Sequence, residues 1–233
     1  MSEAEPGGGE PSVSDRGAGP RYRREGDGLE FDRVSFFCDA VYAIALTLMA
    51  VELRPPGVAD SEDPSELLHA LGEMFGEIWL FFVVVLVIGS YWVAHHRFVA
   101  GLRAVSSRFV FATIPYLAFI AFLPFPANLM GTYGDNPVAG SLFAISMGFV
   151  SFGEWVLLQI AHRDGLFREE PSAAVFRSQS IGSLTPVLLF LVSIPLMFVD
   201  PLLGIAFWFV NVPVGILLNR LTPRDDAREA GAS

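Results

Sequence analysis

The sequence predicts an all-α, polytopic membrane protein with six transmembrane helices per subunit. Of its 233 residues, 52% are hydrophobic, and the mean hydropathy is +0.49. A soluble domain has roughly 45–50% apolar residues. The apolar residues also form long blocks, such as 78–94 and 187–199, where a soluble helix would carry a polar face every few residues. A bilayer is therefore the expected solvent of this chain.

Six apolar segments approach the length of about 20 residues that a helix needs to cross a bilayer core. They cover residues 34–53, 75–94, 109–130, 138–161, 181–199 and 202–218. The third segment contains three prolines, which should kink or end its helix: Pro115, Pro124 and Pro126.

These segments define a transmembrane domain over residues 31–220. Residues 1–30 are rich in Gly, Pro, Glu and Arg and form a predicted disordered tail. They lack the apolar region of a secretory signal peptide. A second polar tail is predicted over residues 221–233.

The distribution of arginines gives an independent test of the topology, because arginines concentrate in the cytoplasmic connections of membrane proteins. The chain contains no lysine. Its arginines fall in the N-terminal tail, the link between spans two and three, the link between spans four and five, and the C-terminal tail, among them Arg21, Arg23, Arg24, Arg33, Arg97, Arg103, Arg108, Arg163, Arg168, Arg177, Arg220, Arg224 and Arg228. The connections on the opposite side hold only Arg54. This alternation predicts an even number of spans with both termini in the cytoplasm.

Several classes of function are not expected. The net charge is −10, and no basic run with interleaved aromatics indicates a nucleic-acid surface. The single cysteine, Cys38, allows neither an intramolecular disulfide nor a cysteine-based metal cluster. The sequence contains no Gly-rich phosphate loop, no Gly-x-Ser-x-Gly elbow and no His-Glu-x-x-His motif. We therefore expect no enzyme, no metal and no cofactor.

Ionisable residues inside the apolar spans are the first candidates for function. Asp39 lies six residues beyond Arg33, or about 9 Å of helix rise, inside or at the edge of the membrane. Such a carboxylate is costly and marks an anchor or an ion or proton site, with Arg33, His95 or His96 as candidate partners. Anchoring is the favoured interpretation. His95 and His96 are adjacent and point to different helix faces, which excludes an i, i+4 metal pair. Glu154 is a second interior acid, with no partner indicated by the sequence.

One face of the first span carries Ile44, Thr47, Leu48 and Val51 at helical spacing. The ordinary interpretation of such a stripe is a helix-packing seam. The alternative is a pore: branched aliphatic rings around an oligomer axis form a constriction that gates by dewetting, and threonine hydroxyls offer oxygen to a partly dehydrated cation. The Thr-Val-Gly-Tyr-Gly filter of ordinary potassium channels is absent.

The same residues carry a resemblance to a known family. The first span opens with Arg33, Phe37, Cys38 and Asp39 and continues with Ala-Val-Tyr-Ala-Ile-Ala-Leu-Thr-Leu. The second span ends with Trp92, His95 and His96. The third span contains Leu-Pro-Phe-Pro-Ala. In these features the chain resembles the TMEM175 family, the bacterial relatives of the lysosomal potassium channel, whose hallmark is Arg-x-x-x-Phe-Ser-Asp. The likeness covers most of the membrane region and excludes both tails.

The resemblance implies a bacterial homotetramer in the cytoplasmic membrane, surrounded by lipid, with six helices per subunit and a central pore lined by the first helix. Monovalent cations would permeate, potassium foremost. The narrowest ring would be Ile44, with Thr47, Leu48 and Val51 as further pore positions. No cofactor is implied.

The resemblance also implies that Arg33 and Asp39 join a hydrogen-bond network with a histidine of span two, which agrees with the anchoring interpretation. The chain departs from the family pattern at Cys38, where the motif has serine. A thiol is a weaker hydrogen-bond partner than a hydroxyl, so we expect an effect on stability or gating more than on selectivity.

The main functional expectation is thus a potassium-permeable cation channel with a hydrophobic constriction at Ile44 and Leu48. The first alternative is a proton channel or leak pathway that uses Asp39, the histidine pair and Glu154. A non-conducting membrane scaffold or a secondary transporter is the other alternative.

Overall fold

The computed structural model describes residues 21–23, 28–59 and 62–221. Within them the chain is helical apart from one antiparallel pair of short strands, β1 (Arg21–Arg23) and β2 (Ala104–Ser106). The helices are α1 (Gly28–Val51), α2 (Pro64–Glu73), α3 (Phe75–Ala100), α4 (Ser107–Phe122), α5 (Pro124–Thr132), α6 (Pro137–Arg163), α7 (Ala173–Val199), α8 (Pro201–Trp208) and α9 (Asn211–Leu221). Most of the predicted tail over 1–30, and residues 222–233 of the second tail, lie outside the described residues. The exceptions in the first tail are β1 and the start of α1.

Five helical segments are long and apolar enough to cross a membrane, which confirms a multi-pass helical membrane protein. They are Phe31–Val51, Phe75–Ala100, Ser107–Thr132, Pro137–Arg163 and Ala173–Val199. The predicted third span is interrupted as its prolines indicated. α4 ends at Phe122 and α5 starts at Pro124, because a proline has no N–H to donate to the carbonyl four residues earlier. Pro115 remains inside α4.

The expected sixth span over residues 202–218 is not one continuous helix. It is divided into α8 and α9, of 8 and 11 residues, by a turn at 209–210. Neither piece alone reaches the length of about 20 residues that a crossing needs. Pro213 accounts for the break, since its ring would clash with the carbonyl of Phe209 in a continuous helix.

Three segments that the arginine pattern assigns to one side of the membrane meet at one end of the molecule. β1 pairs with β2, and Leu102 forms an isolated bridge with Phe167. The Arg103 N–H donates to the carbonyl of Leu166 at 2.9 Å. We call this end, formed by β1, β2 and the links 101–106 and 164–171, the sheet end. Its position agrees with the predicted alternation of the spans.

α2 folds the polar link between the first two spans. Asp63 is its N-cap and accepts hydrogen bonds from the Ser65 hydroxyl at 2.7 Å and the Ser65 N–H at 2.8 Å. These bonds stabilise the carboxylate and hold the pKa of Asp63 below its ordinary value. None of the residues of α2 is buried in the single chain.

The interior is centred on α6, which packs between α4 and α7. Small residues allow close approach here, as is typical of helices packed in membranes. Met197 of α7 is fully buried and lies between two glycines, Gly140 of α6 and Gly204 of α8. A Cβ atom added at Gly204 would lie 2.6 Å from the Met197 sulfur, and one added at Gly140 would lie 2.8 Å from it. A Cβ atom added at either glycine would therefore force Met197 to shift.

We predict that Gly204→Ala lowers the stability of the protein by about 1–3 kcal/mol, the usual cost of overpacking a filled core. The matched control is Gly148→Ala, because a Cβ atom at Gly148 meets nothing within 4 Å. Both changes gain the same helix propensity. Thermal unfolding in detergent micelles should show a lower midpoint for Gly204→Ala only. Equal midpoints for the two variants would contradict this packing.

Candidate functional site

The two faces of α1 have opposite environments. Cys38, Tyr42, Ala45 and Met49 are each at most 5% exposed and pack against the rest of the subunit. The opposite face carries the predicted stripe, and there Ile44 is 56% exposed. The other members of the stripe are exposed as well: Thr47, Leu48 and Val51. The stripe is therefore not a packing seam within one subunit.

Thr47 is the one hydroxyl on this exposed stripe. Its Oγ1 donates to the carbonyl of Ile44 at 2.9 Å, within the helix. A hydroxyl has one hydrogen to donate and two lone pairs. The acceptor side of the Thr47 oxygen thus remains available on the outward face of α1.

Asp39 is anchored to α3 at the start of the apolar part of α1. The indole Nε1 of Trp92 donates to Asp39 Oδ1 at 2.8 Å, and His96 Nδ1 lies 4.0 Å from the same oxygen. The rings of Trp92 and His96 lie 5.5 Å apart. Of the predicted partners of Asp39, His96 is thus the histidine that the structure brings to it.

The remaining motif residues have other surroundings. Arg33 is exposed, and no hydrogen bond or ion pair joins it to any residue that the structure describes. Phe37 is 58% exposed, and Cys38 is buried. The structure therefore does not bring Arg33 to Asp39.

His95 lies on another face of α3 and meets the second interior acid. It is 2% exposed, and its Nδ1 lies 3.7 Å from Glu154 Oε1. The Tyr116 hydroxyl donates to Glu154 Oε2 at 2.8 Å and also pairs with the Tyr42 hydroxyl of α1. A chain of polar contacts thus runs from α6 through α4 to the buried face of α1.

The two tyrosines were not singled out from the sequence, although a signal was present. A tyrosine inside an apolar span needs a partner for its hydroxyl when it is buried. Tyr42 is 1% exposed and Tyr116 is 2% exposed. Tyr116 also stacks on His95, with ring centroids 5.0 Å apart. Gly153 makes room for it, because a Cβ atom there would lie 2.9 Å from the Tyr116 ring.

Cys38 faces this network and not the exposed stripe. Its thiol lies within interaction range of the His95 ring. Neither ring nitrogen of His95 has a partner at hydrogen-bond geometry among the described residues. The motif serine would place a stronger hydrogen-bonding group at this position.

A crevice of about 900 Å³ lies within the subunit, between α3, α6, α7, α9 and the link at the sheet end. Arg97, Arg168 and Glu169 lie on its wall near that link, and Glu154 and Tyr91 lie on its wall further along the helices. Across the described part of the chain, no group of three or more His, Cys, Asp or Glu side chains could hold a metal ion.

Fold and site together define a multi-pass α-helical membrane protein whose first helix turns an apolar, hydroxyl-bearing face away from its own subunit. The family model described as "Endosomal/lysosomal potassium channel TMEM175" matches residues 33–124 of the chain. The matched segment contains the motif, Trp92 and both histidines. The predicted resemblance to the TMEM175 family is confirmed over this segment.

Individual proteins show the same resemblance. A potassium channel of Streptomyces collinus is 29% identical over 198 residues, which cover 79% of this chain and 95% of that protein. The bovine endosomal/lysosomal proton channel TMEM175 is 29% identical over 114 residues, or 47% of this chain. This chain spans 24% of the length of the bovine protein.

A solved structure shares the fold. The lysosomal potassium-selective channel TMEM175 homolog from Chamaesiphon minutus superposes with a TM-score of 0.68 at 23% identity, covering 84% of this chain and 99% of that chain. This likeness establishes the fold, and the chemistry of the site depends on the residues described above.

We predict that Trp92→Phe destabilises the protein by about 1.5–3 kcal/mol, since it removes a hydrogen bond to a charged group. The matched control is Trp155→Phe, because the Trp155 indole stacks on Phe152 and donates to no described residue. Thermal unfolding in detergent should therefore separate the two variants. Unchanged stability of Trp92→Phe would contradict the anchoring of α1 through Asp39.

Proposed function

We propose that the chain is a potassium-permeable cation channel whose pore is lined by α1 in a homo-oligomer, a homotetramer by its resemblance to the TMEM175 family. The observation that carries this proposal is the division of α1 into a buried face and an exposed face. The Streptomyces relative, named a potassium channel and matched over 95% of its length, supports it. Membrane lipid and monovalent cations are the proposed partners, without a cofactor.

The exposed stripe suits a pore because of its chemistry. Around an oligomer axis, Ile44 and Leu48 would form branched aliphatic rings, which close a narrow pore by expelling water. Thr47 lies between them and would present a ring of acceptor oxygens. Val51 would extend the constriction by one turn. Cations would lose part of their hydration at this ring.

The polar residues of the motif join the pore-lining helix α1 to the rest of its own subunit. Asp39 and Trp92 join α1 to α3, and Tyr42 joins α1 to Tyr116. Charges buried in a membrane protein usually serve such helix contacts or a conduction path. We propose that Asp39, Cys38, His95 and His96 hold the helix and that the exposed stripe contacts ions.

We further propose that α8 and α9 together make the sixth crossing. Stacked end to end, the 8 residues of α8 and the 11 residues of α9 would rise about 29 Å, which matches a bilayer core of about 30 Å. Asn211 and Gly215 of α9 line the crevice that opens near the sheet end. With the sheet end in the bacterial cytoplasm, as the arginines indicate, both termini lie on the cytoplasmic side.

The central test is potassium flux into liposomes that contain the purified protein. We expect Ile44→Asn to raise the flux above wild type, because an amide keeps water in the constriction. The matched control is Ile114→Asn on α4, since Ile114 is 55% exposed and Ile44 is 56% exposed. Ile114→Asn should leave flux per folded protein unchanged.

Two results would contradict the channel. One is flux no higher than that of empty liposomes from wild type and Ile44→Asn, with protein shown to be folded and oligomeric. This result would leave a scaffold or a secondary transporter. The other is an equal rise for both asparagine variants, which would indicate a general leak through the lipid boundary.

Proton permeation is the second candidate function. It is favoured by the continuous polar contacts from Glu154 to Tyr42 and by the bovine relative that is named a proton channel. Asp39→Asn discriminates between the candidates: it should abolish a pH-driven proton flux if Asp39 carries protons, and it should leave a folded potassium pore conductive. A pH-sensitive dye inside the liposomes measures the proton flux.

A further inference from the structure

The crevice of about 900 Å³ separates α3 from the helix pair α6 and α7. α6 and α7 pack along each other, and α3 packs against α1 and α5. Residues on both edges of the crevice are exposed, Ser90 and Ala94 on α3 and Gln179 on α7. The crevice is therefore open along the side of the subunit, between α3 and α7.

Two arginines lie at the sheet end of the crevice. Arg97 is in the last turn of α3, which is long enough to cross the bilayer, and Arg168 is in the link that follows α6. The Gly101 N–H donates to the carbonyl of Arg97 at 3.2 Å, and the Arg168 N–H donates to the carbonyl of Gly101 at 3.0 Å. These bonds hold the two arginines close together where the span leaves the hydrocarbon core.

The subunit leaves the charges of these two arginines without a counter-charge. Arg168 Nε donates to the carbonyl of Leu102 at 3.4 Å, which leaves its two terminal nitrogens as further donors. No ion pair joins Arg97 or Arg168 to the part of the chain that the structure describes. Arg108 at the same end, by contrast, lies 3.7 Å from the Asp164 carboxylate. The crevice thus has two guanidinium groups available for an anion.

The acids on the crevice wall determine where an anion can bind. Glu169 lies next to Arg168, so the sheet end of the wall carries two positive charges and one negative charge. Glu154 lies nine residues, or about 14 Å, before the end of α6, and Arg97 lies three residues, or about 5 Å, before the end of α3. An anion is therefore favoured at the arginines and disfavoured at the inner end.

We propose that the crevice binds an anionic phospholipid of the bilayer, with its phosphate between Arg97 and Arg168 and its acyl chains leaving through the open side between α3 and α7. Basic pockets between membrane helices recognise anionic lipid head groups in this way. The planar fork of arginine matches the oxygens of a phosphate. This binding site goes beyond the proposed channel function and does not depend on conduction.

The wall deeper in the crevice suits the glycerol ester region of a lipid. Its polar side chains are neutral along α7, and the exposed Gln179 amide can donate to an ester carbonyl. Ser183 donates its hydroxyl hydrogen to the carbonyl of Gln179 at 3.1 Å, so it keeps an acceptor oxygen. A water molecule needs about 30 Å³, and an inorganic phosphate of a few times that volume would fill only a small part of the crevice. A phospholipid, confined to the bilayer, matches both its size and its open side.

Native mass spectrometry of the purified protein in detergent micelles tests the proposal. The probes are dioleoyl phosphatidylglycerol and dioleoyl phosphatidylcholine, which have the same chains and differ in net charge. We expect phosphatidylglycerol to be retained at one molecule per subunit and to raise the thermal unfolding midpoint, because a ligand that binds the native state stabilises it. Equal retention of the two lipids would overturn the proposal.

Substitution of the arginines locates the phosphate. Arg97→Gln and Arg168→Gln should each weaken phosphatidylglycerol binding by about fivefold, the effect of one arginine near an anionic lipid surface. The matched control is Arg177→Gln, because Arg177 is exposed near the start of α7, at the same end, and does not line the crevice. An equal loss of binding in Arg177→Gln would show attraction to general surface charge and would overturn the site.

Two further variants keep both arginines. Glu169→Gln should strengthen binding, since it removes the negative charge beside Arg168. Gly182→Leu should reduce the retained lipid, because Gly182 lines the crevice and a Cβ atom there meets nothing within 4 Å. Its control is Gly89→Leu, at a glycine of α3 that also has nothing within 4 Å and lies outside the crevice wall. Unchanged binding in Gly182→Leu would overturn the assignment to the crevice.

Competition identifies the source of the phosphate. Glycerol 3-phosphate carries a similar anionic group without acyl chains, and we expect it to leave the bound phosphatidylglycerol in place even in large excess. Displacement would show that the crevice takes a soluble phosphorylated molecule and would overturn the lipid. Lipid bound to dissociated monomers and absent from oligomers in the same spectra would show that a second copy covers the crevice, which would also overturn the proposal.

Discussion

The rotation of α1 about its own axis is the constraint on which the rest of the site depends. Consecutive residues on an α-helix are separated by about 100°, so a shift of one position would exchange exposed Ile44 with buried Ala45. Two polar contacts fix the rotation, Asp39 with Trp92 and Tyr42 with Tyr116. In an apolar surrounding these groups have no water to bond instead. The outward stripe of α1 is thereby determined by the bonds on its inward face.

The spans could be predicted because a bilayer imposes a simple rule on the chain. Each backbone N–H and C=O must be satisfied within a helix, so apolar segments of about 20 residues stand out. The interruption before Pro124 followed from the same rule. The break at Phe209 depends on Pro213, which was visible in the sequence, but hydropathy alone gives no weight to a proline in an apolar segment. Length and composition therefore predicted the last span as continuous.

Partners across helices could not be predicted from the sequence. Two adjacent histidines had to point to different faces, yet which one meets Asp39 depends on how α3 is rotated against α1 and α6. In the structure, His96 lies next to Asp39, and His95 lies next to Glu154. Glu154 lies 59 positions after His95 in the sequence, and its contact with Tyr116 depends on the space at Gly153. Such contacts are properties of packing and not of local pattern.

The arrangement separates the groups that would meet ions from the ionisable groups of the subunit interior. The stripe of α1 is apolar apart from Thr47, and the ionisable pair Glu154 and His95 lies on the other side of Tyr42. A carboxylate in a narrow pore would attract cations strongly and slow their exit, because conduction requires weak binding. The Glu154 carboxylate lies on the inward side of α1. Its charge can therefore act on the packing of α1 through Tyr116 and Tyr42 without contacting the permeating ion. Cys38 lies on the buried face of α1 near His95, where a thiol is a weaker hydrogen-bond partner than the serine of the motif.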